Sequence, residues 1–304
     1  MDSDDLKPED FFDAALAAMQ ALPTEPRARA AHLAEAGLTG VLAPEAVGGM
    51  ALPLAFAVPV AQAAGRALLP VPLSETMLLA RALAPVAPDL AAALCTGEAA
   101  ATLQGAGGAA LSDTCTHAVL ETGAVVTLAD AEVTPLGALD LELPLARISG
   151  GTVVARLDPA AMAALTRDAR ALACAEILGA AETCMQTVVD HTTTRVQFGR
   201  PLIALQAVRH ALARQKLALE GLRHALRRSL GDTGEARSGT TAFLAATQGG
   251  VQVAEGAIQL HGGMGFTWDV PLHRYLRRIR RIEAQQGTPA LASRLAADFI
   301  AELA

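Results

Sequence analysis

The chain has 304 residues, 52% of them hydrophobic but only 3% aromatic, and a formal net charge of −7. That length holds two or three sub-structures around a sizeable core, while the acidic balance speaks against a nucleic-acid binder, which needs a basic field along its surface. The cysteines, Cys95, Cys115, Cys174 and Cys184, form no C-x-x-C pair and have no histidine spacing suited to zinc; reduced, buried thiols and no metal are expected.

The N-terminus, "MDSDDLKPEDFF", is acidic and lacks a charged-then-apolar leader pattern. The most apolar window, residues 51–72, is broken by Pro53, Pro59, Gln62, Arg66 and Pro70, whereas a spanning helix needs about 20 mostly apolar residues. A soluble, cytoplasmic protein is expected, with no membrane or nucleic-acid partner. "PEDFFDAALAAMQAL" predicts a first helix with acids in its first turn, where they favour the helix dipole. Pro23 and Pro26 break it, and "RARAAHLAEAG" resumes until Gly37. "PEAVGGM" is a loop, a helix follows through Phe56 to Ala67, and "LLPVPLSETMLLARALA" predicts an extended stretch and then a helix with Ser74 as N-cap.

Between Ala99 and Asp158 the period changes. "ATLQGAGGAALS", "HAVLETGAVVTLAD" and "GTVVARLD" are short β-type runs separated by Gly, Asp and Pro. After Pro159 helix returns in four long pieces: "DARALACAEILGAAETCMQTVVDHTTTR", "ALQAVRHALARQKLALEGLRHALRRSL", "GTTAFLAATQGGVQVAEGAIQLHG" and "PLHRYLRRIRRIEA". Leu178, Ala181, Met185 and Val188 recur at the spacing of one buried helix face. The expected order is an N-terminal α-helical domain over residues 1–95, a small β domain over 96–158 and a C-terminal four-helix bundle over 159–304.

Three stretches are candidates for chemistry. In "TRVQFGRPLIALQAVRH" the segment holding Arg195, Phe198 and Gly199 closes one helix, and Gln206 opens the next. A guanidinium beside a glycine-relaxed turn and a helix start suits a phosphate, and a plain helix C-cap is the alternative. In "AIQLHGGMGFTWDVPLHRYLRR", Gly262, Gly263 and Gly265 permit close backbone approach to a ligand one turn after Gln259, though an interhelix turn has the same composition. Arg274, Arg277, Arg278, Arg280 and Arg281 fall on more than one helix face, so they cannot all serve one site. A salt-bridged helix is the default reading there, and an interface or an anionic cofactor the sharper one.

Taken together, these stretches resemble the acyl-CoA dehydrogenase family. Its "R-x-x-F-G-x-P-L-x-x-x-Q" motif stands here as Arg195 to Gln206, its "Q-x-x-G-G-x-G" motif as Gln259 to Gly265, and "GLTGVLAPEAVGGMALPL" is similar to its N-terminal "P-E-x-x-G-G" loop. The resemblance covers nearly the whole chain in order. It implies a mainly α fold with a small, reduced β domain, and FAD as cofactor. It also implies oxidation of an acyl-CoA thioester to its 2,3-enoyl form. In the family a carboxylate removes the α-proton, most often the Glu of a "Y-E-G-T" motif; aligned through Gly287 and Thr288, that position is Gln286. An amide has no accessible basic site near neutral pH, so no catalytic residue is assigned. Some members place the Glu just before an Arg on the first bundle helix, and here the pair is Ala169 and Arg170. Glu283 and Glu176 are the nearest carboxylates to offer as substitutes, each needing a different approach to the substrate.

The family's "T-E-P-x-x-G-S-D" and "W-I-T-N" stretches, which hold the flavin ring, are absent between Ala99 and Asp158. In family dimers the two surviving motifs reach across to the neighbour's FAD. The resemblance therefore implies a short, non-catalytic subunit of a heteromer of the α2β2, steroid side-chain type. Arg195, Phe198, Gln206, Gln259, Gly262 and Gly263 are its cofactor-binding residues, contacting an FAD shared with a longer partner subunit. That partner carries the Glu and the acyl-CoA, and an electron-transfer flavoprotein is the expected acceptor. "GRALLPVPLSETMLLARAL" is similar to those subunits. The alternatives are a flavin monooxygenase on the same scaffold, which also lacks the Glu, and a flavin-free scaffold subunit.

Overall fold

A computed structural model describes residues 6–137, 139–230 and 236–303. Five helices come first: α1 (Asp10–Gln20), α2 (Ala28–Glu35), α3 (Leu54–Ala67), α4 (Leu73–Leu83) and α5 (Pro88–Thr96). Helix α4 is preceded by Pro72 in the N-cap position and no side chain caps it. Ser74, expected as the cap, lies inside the helix instead, because the proline already fixes the turn of entry.

Seven strands follow: β1 (Ala101–Leu103), β2 (Ala109–Ala110), β3 (His117–Val119), β4 (Ala124–Thr127), β5 (Ala131–Pro135), β6 (Leu145–Gly150) and β7 (Val153–Arg156). They form a four-stranded sheet in the order β1-β3-β4-β7 and a three-stranded one in the order β2-β6-β5. β1 pairs with β3 in parallel, and the other pairs are antiparallel. Between the sheets lies a small core of Ala109, Ala118, Ala124, Val126 and Ile148.

Helix α6 (Pro159–Thr194) opens with Asp158, whose carboxylate accepts from the Ala161 N–H at 2.8 Å, and with Pro159 at its first position. It is long and apolar enough to cross a membrane, but most of its apolar stretch is buried in the fold, as in a core helix. The two-residue strands β8 (Val196–Gln197) and β9 (Arg200–Pro201) pair after it, and then come α7 (Gln206–Leu230), α8 (Ala236–His261), α9 (Leu272–Gln285) and α10 (Thr288–Leu303). One apolar core runs from α1 through α3 and α4 into α6, α7, α8 and α9. Glycines set the closest approach within it. A Cβ on Gly65 of α3 would lie 1.9 Å from the Glu176 carbonyl oxygen of α6, and one on Gly179 of α6 would lie 1.9 Å from that of Gln62. The two backbones touch there, which only glycine at both positions allows.

Candidate functional site

The first two sequence stretches meet at one end of the bundle. Arg195 is the extended C-cap of α6, so the helix closes before Phe198 and Gly199 rather than on them. Those two residues form the turn between β8 and β9, with φ of 53° and 73°. Positive φ at both central residues matches the twist of a tight hairpin, but it strains a phenylalanine. That ring is 88% exposed, so no packing within the chain offsets the strain. Leu202 N–H donates to the Arg195 carbonyl at 2.9 Å, and Arg209 donates to the carbonyls of Ile203 and Ala204 at 3.1 and 2.9 Å, which fixes the chain up to Gln206 at the first turn of α7.

The end of α8 lies beside it. The rings of His191 on α6 and His261 on α8 stack at 4.1 Å with an interplanar angle of 21°. His261 Nδ1 donates to the Ala257 carbonyl at 2.8 Å. Burial, the neighbouring His261 ring and the Arg195 charge all depress the His191 pKa, which favours its neutral form. This contact, one turn from Arg195 and next to Gly262, brings the Arg195 hairpin and the Gln259–Gly263 turn to the same end. Arg195, Gln206, Gln259, Gly262 and Gly263 are all exposed. No atom lies within 4 Å of the Cβ that Gly199, Gly262 or Gly263 would carry, so backbone there is open to a ligand. Phe266 and Trp268 stand 75% and 69% exposed alongside. Trp268 is braced edge-on by His273 at 4.6 Å and by the Arg277 guanidinium 5.9 Å from its ring centre.

Gln286 is different in every respect. It is the half-buried C-cap of α9, followed by Gly287 at φ 64°. The turn between β1 and β2 closes over it. Gly107 N–H donates to the Gln285 carbonyl at 3.1 Å, a Cβ on Gly107 would lie 1.8 Å from the Ala284 carbonyl oxygen, and Ala106 abuts Gly287. Behind the turn a buried polar ladder fills the space. Arg278 is paired with Asp140 from the β region and donates to Glu176 of α6 at 3.1 Å. Arg281 donates to the same Glu176 oxygen at 3.1 Å and to the Gln285 side-chain carbonyl at 2.6 Å. The Gln285 amide then donates to Glu75 of α4 at 2.7 Å and to the Leu103 carbonyl at 3.2 Å. Glu75 also accepts from Thr102 Oγ1 and Leu103 N–H, both at 2.7 Å. Burial nevertheless holds its carboxyl above the usual range. The cavity left between these groups is about 20 Å³, room for a single water and none for a flavin ring.

Neither substitute carboxylate is free. Glu176 is held by Arg278 and Arg281, and Glu283 accepts from Arg280 at 2.8 Å. Ala169 is buried, and Arg170 donates to Thr240 at 3.2 Å. The arginine run therefore divides. Arg278 and Arg281 are buried in the ladder, Arg274 pairs with Glu142 at 2.7 Å, Arg280 pairs with Glu255 and Glu283, and Arg277 braces Trp268. Reading along the sequence missed Glu75, Asp140 and Gln285 as partners. The one available signal was the acidic "LDLE" segment of the β region, whose Asp140 and Glu142 answer two of the arginines. Burial raises the thiol pKa of Cys115 to about 11 and of Cys174 to about 12, so neither is a nucleophile near neutral pH. Among the described residues no cluster of His, Cys, Asp and Glu fits a metal ion.

Comparison with known proteins agrees with the motifs. Residues 159–300 match the family model "Acyl-CoA dehydrogenase, C-terminal domain". The chain is 34% identical over 259 residues to the acyl-CoA dehydrogenase IpdE2 of Mycobacterium tuberculosis, spanning 80% of this chain and 77% of that protein. It is 30% identical over 280 residues to acyl-CoA dehydrogenase FadE34 of the same organism, spanning 83% of this chain but 39% of that protein. Its fold is similar to a chain of the Tcur3481-Tcur3483 steroid ACAD, in a variant form, with a TM-score of 0.83 and 26% identity over 97% of this chain and 98% of that one. It is also similar to a chain of the ChsE4-ChsE5 complex from Mycobacterium tuberculosis, with a TM-score of 0.79 and 23% identity over 99% of each.

Proposed function

The chain belongs to the acyl-CoA dehydrogenase family, and from that premise we propose that it is the non-catalytic half of a two-chain FAD enzyme. The reaction is the α,β-desaturation of a bulky, steroid-derived acyl-CoA. The observation that carries the reading is the asymmetry of the two ends. The place where the family's base falls holds an amide, a covering turn and a filled interior. The residues that match the cofactor motifs face outward, unobstructed. A chain that also served its own flavin would keep the outward motifs but add a carboxylate and an open interior at the position of Gln286.

Family membership implies FAD, and the fit differs between the two places. The interior behind α9 does not fit it, since the cavity lined by Glu75, Glu176, Arg278 and Arg281 is about 20 Å³. The outward end does fit the anionic half of a dinucleotide. Arg195 offers a charge-assisted donor to a phosphate, Gln206 and Gln259 offer amides, and Gly262 and Gly263 admit close backbone approach. Phe198 and Phe266 supply apolar surface against which a second chain excludes water. When bound, the flavin accepts the β-hydride; the carboxylate that takes the α-proton belongs to a partner acyl-CoA dehydrogenase subunit, and an electron-transfer flavoprotein is the acceptor. Two of the similar structures, the Tcur3481-Tcur3483 steroid ACAD and the ChsE4-ChsE5 complex, are each named for two components, which supports a heteromer and this substrate class.

The test is co-purification with such a partner. The chain alone should be flavin-free and inactive, and the complex should hold one FAD per pair. Arg195→Ala in the complex removes a charge-assisted phosphate contact of about 1.5–3 kcal/mol, which is a loss of about 10- to 150-fold in FAD affinity. Acyl-CoA oxidation by the chain alone, or an unchanged FAD affinity in Arg195→Ala, would overturn the reading.

A further inference from the structure

A cleft opens on the flank of the bundle, apart from both places described above. Helices α3 and α7 each pack on α6, and between them the middle of α6 is left uncovered. The cleft is half-open and holds about 360 Å³, a volume at the lower end of small-molecule sites. Met185 and Val189 of α6 lie on its floor, Arg66 in the last turn of α3 forms one wall, and Lys216, Leu219 and Arg223 of α7 form the other. The wall on the α3 side is fixed. The glycine contacts of Gly65 and Gly179 lock α3 onto α6, and the Tyr275 hydroxyl donates to the Arg66 carbonyl at 3.1 Å.

The charges around the cleft are paired with one exception. Glu182 accepts from Arg223 and from the Gln62 amide, both at 2.6 Å, and Glu220 accepts from Arg223 at 2.5 Å and Lys216 at 2.7 Å. Asp190 takes the Gln186 amide at 2.8 Å and lies outside the lining. Arg66 has no such partner. Its guanidinium lies 5.9 Å from the centre of the Phe12 ring, and among the described residues it makes no hydrogen bond or ion pair. An aromatic face steadies a guanidinium while leaving its N–H edge free, and that edge matches a carboxylate through two parallel bonds. One unpaired cation calls for one negative charge. The floor calls for apolar surface, because the Thr183 and Thr187 hydroxyls are turned back onto carbonyls of α6 at 2.9 and 2.8 Å. What remains there is Met185, Val189 and the edge of Leu219, and a methionine adapts to the shape set against it.

We propose that this cleft binds a small monocarboxylate with a compact apolar body, its carboxylate on Arg66 and its body against Met185, Val189 and Leu219. The site needs no flavin and no partner chain, so it stands or falls apart from the reading above. None of its residues belongs to the cofactor motifs or to the buried ladder, and Val189 lies about 9 Å along α6 from Arg195. A half-open cleft with one charge-assisted contact supports a dissociation constant of roughly 0.1–1 mM.

The test is a titration of the full chain, carrying methyl-labelled methionine, with para-isopropylbenzoate, whose ring current moves a neighbouring methyl signal. The Met185 methyl, identified by its loss in Met185→Leu, should shift and saturate. The neutral counterpart, para-isopropylbenzamide, should bind about tenfold more weakly. Arg66→Gln, at an exposed position whose loss leaves the thermal melt unchanged, should weaken the benzoate by a similar factor and bring acid and amide together. Val189→Trp fills the cleft while keeping Arg66 and should abolish the shift. The proposal is overturned if the Met185 methyl stays in place up to about 10 mM benzoate, if the benzamide binds the wild-type chain equally well, or if Arg66→Gln leaves the affinity unchanged.

Discussion

Replacing Arg278 by Met tests whether the buried ladder holds the fold. The Arg278 side chain is 1% exposed and its partner Asp140 2%. Without the guanidinium, Asp140 Oδ2 keeps only Arg281 Nε at 3.6 Å, while Glu176 keeps Arg281 at 3.1 Å. Asp140 also keeps the Glu142 N–H on its other oxygen at 3.0 Å, but its charge is left buried without a close cation, a loss of about 3–5 kcal/mol. For 304 residues, an unfolding entropy of about 2.1 cal/mol/K per residue gives about 0.64 kcal/mol/K, so Tm should fall by about 5–8 °C. Adding Asp140→Asn, which removes the stranded charge, should restore roughly half of the loss. Arg280→Met is the contrast: its pairs with Glu255 and Glu283 are comparably short but its side chain is 41% exposed, so a loss of about 0–1 kcal/mol is expected. Scanning calorimetry at pH 7 with urea melts reads all of these. A fall of less than about 2 °C for Arg278→Met, or a further fall on adding Asp140→Asn, would refute the account.

Two further predictions concern the two ends. Gln286→Glu restores a carboxylate at the family's base position, yet the turn over it and the filled interior remain, so neither flavin uptake by the chain alone nor dehydrogenase activity should appear; bound flavin absorbance would refute this. His191→Phe tests the stacked histidines. The folded pKa of His191 lies below its unfolded value, so the unfolded chain takes the proton first and stability is lost as pH falls below about 6.5. His191→Phe keeps an aromatic ring on His261 and should lessen that acid loss while leaving stability at pH 8 nearly unchanged. Equal pH slopes for the two proteins would refute the assignment.

Most helices were legible from apolar residues at helical spacing, although α10 was not among those expected; α6 is buried nearly all round along its middle, and its start is announced by Asp158 and Pro159. Strands β5 and β6 were passed over. β5 is largely exposed and its apolar–polar alternation, Ala131 to Thr134, is short and stops at Pro135, and β6 follows Pro144 and is buried unevenly. The arginines of α9 were the harder case. Charge reads as exposure in a sequence, and Arg278, Arg281 and Gln285 share the buried face with Ile279 and Ile282. What reverses the reading is the supply of partners: Asp140, Glu176 and Glu75 come from three other segments, and no local pattern reports contacts that distant. The Arg195 and Gln259 motifs were legible as motifs. That they share one end depends on the His191–His261 stack, which spacing alone does not show.

The ladder also bears on how a reduced β region stays attached to the helices. Its own inter-sheet core is chiefly alanine, and alanine buries so little apolar area that the sheets gain little from one another. Leu103, Val119 and Val125 join the main apolar core with the helices, and polar ties add to that attachment: Leu103 and Thr102 to Glu75, Leu103 to Gln285, Gly107 to Gln285, Asp140 to Arg278 and Glu142 to Arg274. Buried charges add little net stability over a well-packed apolar alternative, but breaking one partner is costly. Such a set of ties therefore favours one arrangement strongly without making the whole much more stable. Side chains span the gap between the β region and the bundle. The motif end is the opposite case, with a strained Phe198 held out in solvent and glycines left bare. An interior closed by its own side chains and an exterior kept open are complementary features, and together they are what the proposed sharing of a cofactor with another chain requires.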